Sequence, residues 1–247
     1  MSNSQILLSY IGRGSKCAVT QNRGKRTAGI DGEKWTTSNS KMKAAQKLSD
    51  KKYKAQPLRR IYIEKQGKKK KRPLSIPTMY DRAMQALYAL ALNPIAETTA
   101  DRTSYGFRKY RSSHDAQAQL FICLSKINSA QWILEGDIKG CFDNINHEWL
   151  LNNIPMDKSI LKQFLKAGFV YNRHLNPTKT GTAQGGIISP TLANITLDGM
   201  ENAISTKYHS NKKGIINKTR YNLHKVNFVR YADDCAPRKR TRAAKSH

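Results

Sequence analysis

Two apolar runs in this chain end in carboxylates: Ile133-Leu134-Glu135-Gly136-Asp137-Ile138 and Phe228-Val229-Arg230-Tyr231-Ala232-Asp233-Asp234. Both have the look of strands. Acids at strand ends need a reason in a chain with 44 Lys and Arg against 17 Asp and Glu, a net charge of +27. Buried without partners, such carboxylates would cost several kcal/mol. Divalent cations held between neighbouring strands would satisfy them, and Mg²⁺ needs only two or three protein carboxylates because it keeps waters and substrate oxygens. Asp137 on one strand and Asp233-Asp234 at the tip of a hairpin supply that set if the strands are neighbours. Taken alone, Asp233-Asp234 is also what an ordinary polar turn looks like.

The positive charge is tolerable if a polyanion covers the surface, and nucleic acid is the usual one. A ribosomal or histone-like binder has the same balance. Runs such as Lys68-Lys69-Lys70-Lys71-Arg72 are also found as plain solvated loops. Cys17, Cys123, Cys141 and Cys235 include no CxxC pair and no accompanying His cluster, so neither a zinc site nor a disulfide framework is expected. The apolar stretch Ile6-Leu7-Leu8 is too short for a signal peptide, and no run approaches membrane-spanning length. A cytoplasmic (bacterial) or organellar protein that is not secreted fits these features.

Periodicity predicts the elements. A polar helix lies within residues 33–56, a strand over Leu58–Glu64, a charged turn over Gln66–Arg72 and an extended segment over Pro73–Pro77. A core helix over Met79–Glu97 places Met79, Ala83, Ala86, Leu87, Leu90 and Ala91 on one face and is interrupted near Pro94. A helix over His114–Lys126 turns Ala118, Phe121, Ile122 and Ser125 inward. Trp132–Ile138 reads as a strand, Asn146–Asn153 and Asp157–Tyr171 as helices, and Asn172–Gly186 as loop. A helix runs from Pro190, with Ser189 as its N-cap, towards Tyr208, and Val226–Ala232 is a strand. Strands and helices alternate unevenly, which argues an α+β fold.

The two acidic segments sit among others that together resemble the group II intron-encoded reverse transcriptases. Tyr231-Ala232-Asp233-Asp234 is the signature tetrapeptide of that family, and Asp137-Ile138-Lys139-Gly140-Cys141-Phe142-Asp143 resembles its first palm motif. Gly181-Thr182-Ala183-Gln184-Gly185-Gly186-Ile187-Ile188-Ser189-Pro190-Thr191-Leu192-Ala193-Asn194 resembles the motif between them. Lys71-Arg72-Pro73-Leu74-Ser75-Ile76-Pro77 resembles the fingers hairpin, and Ser104-Tyr105-Gly106-Phe107-Arg108 with Ser112–Ala116 the block after it. Gln21–Gly32 is similar to the N-terminal loop extension. The blocks stand in family order over roughly residues 20–234.

The resemblance implies a right-hand polymerase: an N-terminal extension and loop over 1–32, fingers over 33–128, an antiparallel palm sheet packed by helices over 129–235, and a basic tail over 236–247. It implies two Mg²⁺ ions, with Mn²⁺ as an alternative, at Asp137, Ile138, Asp233 and Asp234, with the three aspartates catalytic. Phe142 is the bulky gate beneath the sugar that excludes a 2′-hydroxyl. Lys71, Arg72, Phe142, Gln184 and Gly185 contact the nucleotide. Arg82 is a further cation for phosphates, and Arg23, Lys25, Arg26, Arg82, Arg108, Lys109 and Arg111 face RNA. Tyr105 and Phe107 suit base stacking or core packing equally. Partners are then an intron RNA template, a DNA primer and dNTPs, with no membrane.

The ends depart from the family pattern. Met1–Ala18 does not resemble the helical segment expected before the loop. After Asp234 an apolar strand should complete the hairpin, whereas Cys235-Ala236-Pro237-Arg238-Lys239-Arg240 brings a proline and a run of cations. The remaining palm strands, thumb and maturase region are not recognisable. A truncated or frame-shifted element, with little polymerase activity because the acidic tip lacks its partner strand, is the expectation. A non-catalytic, RNA-binding maturase remnant is the alternative function. A non-intron bacterial reverse transcriptase is a third reading, against which Gln21–Gly32 argues.

Overall fold

The computed structural model describes residues 19–20, 23–48, 53–65, 67–130, 132–211, 213–222 and 225–239. The chain divides into two compact units, Met1–Ile95 with Gly140–Ala193 and Ala96–Lys139 with Asn194–His247. Both mix helices and strands, the α+β composition expected.

The first unit is built on a four-stranded sheet in the order β2 (Lys68–Ile76), β1 (Leu58–Lys65), β5 (Phe169–Tyr171), β6 (His174–Asn176). β1 and β2 form an antiparallel hairpin, with Arg59 opposite Ile76 and Ile63 opposite Arg72. The lysine run expected as a turn is therefore strand from Lys68 on, and Gly67, with φ +71°, is the turn residue among those described. β5 pairs parallel with β1 and antiparallel with β6. These two strands correct the expected helix to Tyr171 and the expected loop after it. The helix Lys158–Lys166 stops before Gly168, whose φ of +73° is a left-handed conformation that suits glycine. Asn172 and Arg173, both at positive φ, close the β5–β6 hairpin as a two-residue turn.

The helix Met79–Thr99 is continuous, with Pro94 inside it rather than at a break. Leu90, four residues earlier, is exposed, so water can serve the carbonyl that proline leaves without a donor. Met79, Ala83, Ala86, Ala89 and Leu92 are buried, while Leu90 and Ala91 face outward, a rotation of the expected face. Its first turn is tied down by polar contacts. Buried Asp81 accepts from Tyr53 Oη (2.6 Å), Thr78 Oγ1 (2.7 Å) and Gln56 N (3.3 Å). Burial, partly offset by these donors, pushes the Asp81 carboxyl up, and burial beside Asp81 pushes the Tyr53 phenol up. Tyr53, Tyr80, Tyr88 and Phe164 pack edge-on or tilted around it, with ring centroids 5.7–6.1 Å apart.

The second unit is an antiparallel sheet centred on β8 (Asp234–Lys239). β7 (Asn227–Tyr231) lies along one edge, with Arg230 opposite Cys235 and Tyr231 opposite Asp234. β3 (Trp132–Ile133) and β4 (Gly136–Asp137) also pair with it, Ile133 opposite Arg238 and Asp137 opposite Asp234. The expected loss of the partner strand after Asp234 is thus corrected: residues 234–239 complete the hairpin. Pro237 makes its mark differently. Residues 134 and 135 separate β3 from β4, and the ladder lapses there, opposite a residue with no N–H to donate. Residues 1–18, Gln21, Asn22 and 240–247 lie outside the described residues.

The helix Ser113–Leu124 packs on β7, where Ala116, Tyr105 and Val229 form a small core with Leu120 against it. The expected inner face is corrected, since Phe121 and Ile122 are exposed. Ala116 and Leu120, one turn apart, point to the sheet instead. The expected single helix from Pro190 to Tyr208 is two, Ser189–Leu197 and Met200–Tyr208, divided at Gly199 with φ +98°. No described helix is long and apolar enough to cross a membrane.

Helix Ser113–Leu124 starts at a capping box. Ser112 Oγ accepts from Asp115 N, and the Asp115 carboxylate accepts from Ser112 N (2.6 Å) and Ser112 Oγ (2.8 Å), which holds that carboxyl below its usual range. A depressed carboxylate pKa stabilises the fold at neutral pH and loses that support as pH falls through the folded value. Ser112→Ala should cost about 1 kcal/mol at pH 7. In denaturant titrations the gap from wild type should narrow in acid; a gap that stays constant or widens contradicts the capping box.

Candidate active site

The tetrapeptide Tyr231–Asp234 is the turn of the β7–β8 hairpin, Ala232 and Asp233 being its two loop residues. Ala232 has φ +57°, a conformation that side chains rarely adopt and that costs about 1–3 kcal/mol. It is nonetheless buried. Gly106 lies directly against it: a Cβ on Gly106 would meet Ala232 N at 2.2 Å and Ala232 Cα at 2.8 Å. Only glycine lets the backbones approach so closely.

The β8 register sets Asp137 directly across from Asp234, and Ile138 N donates to Asp233 O at 3.3 Å. The expected neighbourhood of the two acidic segments is therefore present. Asp137 and Asp234 are exposed and Asp233 is half-buried, so the cost of burying unpartnered carboxylates does not apply to them. Mutual repulsion does. The Asp234 carboxyl is pushed up, first by desolvation and then by the charges of Asp233, Asp137 and Glu135. Among the described residues no group of three or more His, Cys, Asp or Glu closes into a metal cage. What exists is an open, solvent-facing set of hard oxygen donors whose like charges a divalent cation would relieve.

Behind the turn lies Arg230, which sequence reasoning did not single out. Its side chain has 0% exposure. Nη1 donates to Asn194 Oδ1 (3.1 Å) and Ala232 O (3.2 Å), and Nη2 to Asp198 Oδ1 (2.9 Å). Burial pushes the Asp198 carboxyl up and the Arg230 charge opposes that. The available signal was a lone cation inside an apolar strand.

In the first unit, the glycine-rich segment 181–186 is held by backbone contacts. Gly181 N donates to Ile145 O (2.8 Å), Thr182 N to Phe142 O (2.7 Å), and Ser75 N to Gln184 O (2.7 Å). Gly181 has φ +82°, and a Cβ there would strike Phe142 O at 2.5 Å. His147 Nε2 lies 2.7 Å from Gly181 O. Phe142 is half-buried in the short helix Cys141–Asn144, and Gln184 Nε2 reaches the Asp143 carboxylate at 3.3 Å. Gly185 is exposed at φ +112°. Fingers-hairpin, glycine-loop and Phe142 residues are thus brought together, and a cleft of about 160 Å³ opens beside them, lined by Leu58, Arg60, Ser75, Asp143, Phe169 and Gln184. Arg60, stacked 3.8 Å over Phe169, was missed because its strand alternation reads as ordinary surface. Arg72 is exposed on β2, and Lys71 pairs with Glu64 across the hairpin (3.5 Å).

The basic residues separate into two groups. Lys25 and Arg26 are exposed on the 3₁₀ turn Arg23–Arg26, and Lys109 is exposed as well; the Arg23 side chain lies outside the described residues. Arg82 is buried and its guanidinium is taken up by Pro77 O, Gly24 O and Thr27 O, which corrects its expected role as a phosphate ligand. It anchors the basic loop instead. Arg108 is likewise engaged, by Glu97 (2.5 Å), Asp101 O and Ser104 O, and Arg111 by Glu97 and Arg102 O. Tyr105 is core, whereas Phe107 is exposed.

Residues 63–238 match the family described as reverse transcriptase (RNA-dependent DNA polymerase), and residues 15–48 match the N-terminal domain of reverse transcriptase. Group II intron-encoded protein LtrA of Lactococcus lactis subsp. cremoris is 40% identical over 188 residues, 73% of this chain and 31% of that protein. Protein YkfC of Escherichia coli K12 is 32% identical over 203 residues, 77% of this chain and 53% of it. A 91 kDa protein in a cob intron of Schizosaccharomyces pombe is 34% identical over 185 residues, 72% of this chain and 22% of it. The chain spans between about a fifth and a half of the length of these relatives. Matching family models, intron-encoded relatives and an acidic hairpin turn facing Asp137 agree, and the chain belongs to the reverse transcriptase family, among the group II intron-encoded reverse transcriptases and maturases.

Proposed function

We propose that this chain carries the fingers and palm of an RNA-directed DNA polymerase that extends a DNA primer on intron RNA. The observation that carries the reading is the cross-strand pairing of Asp137 with Asp234 beside the Asp233 turn. Those three carboxylates, with the Ile138 carbonyl, would hold Mg²⁺ or Mn²⁺. When bound there, two such ions supply activation of the primer 3′-hydroxyl and neutralise charge on the departing pyrophosphate. The protein's own contribution is placement: a polymerase needs its carboxylates fixed to within an ångström.

On this reading the first unit selects the nucleotide. Phe142 excludes a ribose 2′-hydroxyl, Gln184 and Gly185 meet the nucleotide or template, and exposed Arg72, with Lys71, faces the triphosphate. Lys25, Arg26 and Lys109 are the exposed cations that suit RNA phosphates. A cytoplasmic or organellar setting without a membrane accompanies this role. The completed β7–β8 hairpin favours catalysis over the non-catalytic RNA-binding alternative, since the expected defect in the acidic tip is not found in the described residues.

Purified protein with Mg²⁺, an RNA template, an annealed primer and dNTPs should extend the primer, and Asp233→Ala should reduce extension to background. Salt-sensitive RNA binding without any extension would point to the maturase-like role. Phe142→Ala should lower discrimination against ribonucleotides by about 10-fold or more, the scale of a lost steric contact in a pocket. Unchanged discrimination in an active variant removes Phe142 from the gate.

A further inference from the structure

Three segments far apart in sequence meet at one buried cation. Arg230 lies four residues before Asp234 on β7. Through Nη1 it holds the carbonyl of Ala232, the turn residue at φ +57°. The same nitrogen reaches Asn194 Oδ1, and Asn194 Nδ2 in turn donates to Gly106 O at 2.9 Å. Gly106 is the residue whose missing side chain lets Ala232 sit where it does. Arg230 Nη2 closes the set on Asp198.

The main chain repeats the connection. Arg230 N donates to Thr103 O and Tyr105 N donates to Arg230 O, both at 2.9 Å, so the stretch 103–105 runs along the free edge of β7. Asp101 accepts from Gly199 N and Glu201 N, both at 3.1 Å, which ties the same stretch to the start of the helix Met200–Tyr208. A left-handed alanine whose carbonyl is held by a buried guanidinium and whose backbone is packed against Gly106 resists relaxing, because a shift breaks a buried hydrogen bond or meets the Gly106 backbone.

We propose that Arg230, with Asn194 and Gly106, is a positioning device for the acidic turn: it locks the strained Ala232 so that Asp233 and Asp234 are held rigidly at the end of the hairpin. Arg230 touches neither substrate nor the reacting atoms. It acts through the Ala232 carbonyl. Charge alone does not suffice, since a guanidinium presents several donors in a fixed fork and a lysine ammonium does not. Glycine at 106 and asparagine at 194 are then parts of the catalytic turn by position, although neither carries chemistry. The inference rests on the polymerase reading for its consequence in rate, but not for its structural content.

The test uses the full chain with Arg230→Lys and Asn194→Ala, reading amide hydrogen exchange and, separately, steady-state primer extension. Exchange within residues 231–235 should accelerate by about 10-fold or more relative to residues 227–229 of the same strand. The kcat for dNTP addition should fall by about 100-fold with KM for dNTP changed less than about 2-fold, since the turn is misplaced while the nucleotide-binding residues are untouched. If Arg230→Lys does not fold, Asn194→Ala carries the test, because it removes one acceptor and leaves the pair with Asp198. Wild-type exchange at 231–235 in a folded variant overturns the proposal, as does a rise in exchange spread evenly over the whole strand. A wild-type protein that extends no primer would overturn the polymerase reading alone, and the exchange result would still decide the positioning claim.

Discussion

Strand β8 is hydrogen-bonded along both edges, to β7 on one side and to β3 and β4 on the other. Everything the acidic residues do depends on that pairing. Side chains alternate along a strand, so a slip of one residue between β4 and β8 would turn Asp137 to the face opposite Asp234. The hairpin turn alone cannot prevent a slip, because it fixes β7 against β8 and says nothing of β4. The bond from Ile138 N to Asp233 O ties the third partner in.

A basic chain has reason to tolerate this. Four carboxylates, Glu135, Asp137, Asp233 and Asp234, stand together at one end of the sheet, and the Asp234 carboxyl is raised by desolvation first and by the charges of the other three second. Conformational strain is added at Ala232. Behind that turn lies Arg230, bonded to the Ala232 carbonyl; its own burial would be costly without Asp198, Asn194 and that carbonyl. Repulsion and strain concentrated at one place, with compensation immediately behind it, is how functional sites differ from the rest of a fold. Both units show the same division of labour: Arg82 in the first and Arg108 in the second spend their guanidinium groups on the chain itself, while Lys25 and Arg26 in the first and Lys109 in the second stay exposed.

Much of this was legible from residues whose local chemistry is strong. The helix from Met79 and the β1–β2 hairpin follow from periodicity, whereas the two acidic segments meet only on the condition that their strands are neighbours, which the β4–β8 pairing meets. The misreadings have physical causes. Phe169–Tyr171 continues an apolar pattern that suits helix and strand alike, and only Gly168 marks the change. Phe121 and Ile122 were assigned inward because they are apolar, whereas the capping box at Ser112 and the contact with β7 fix the helix by Ala116 and Leu120. Pro237 and the cations after it argue against a strand beyond Asp234, but a proline costs one ladder bond, and β8 gives it up where β3 and β4 part. Arg82 and Arg230 could not be told from surface cations without knowing which carbonyls surround them.

The central claim is the β4–β8 register, and a cross-link tests it most directly. A Cβ placed on Gly136 would lie 3.0 Å from Cys235 Sγ, within reach of a disulfide. Under mild oxidation, Gly136→Cys should form a bond to Cys235 that peptide mapping locates and that Cys235→Ser abolishes. A folded Gly136→Cys protein that leaves Cys235 free, or that couples residue 136 to another cysteine instead, would contradict the register and with it the facing of Asp137 and Asp234.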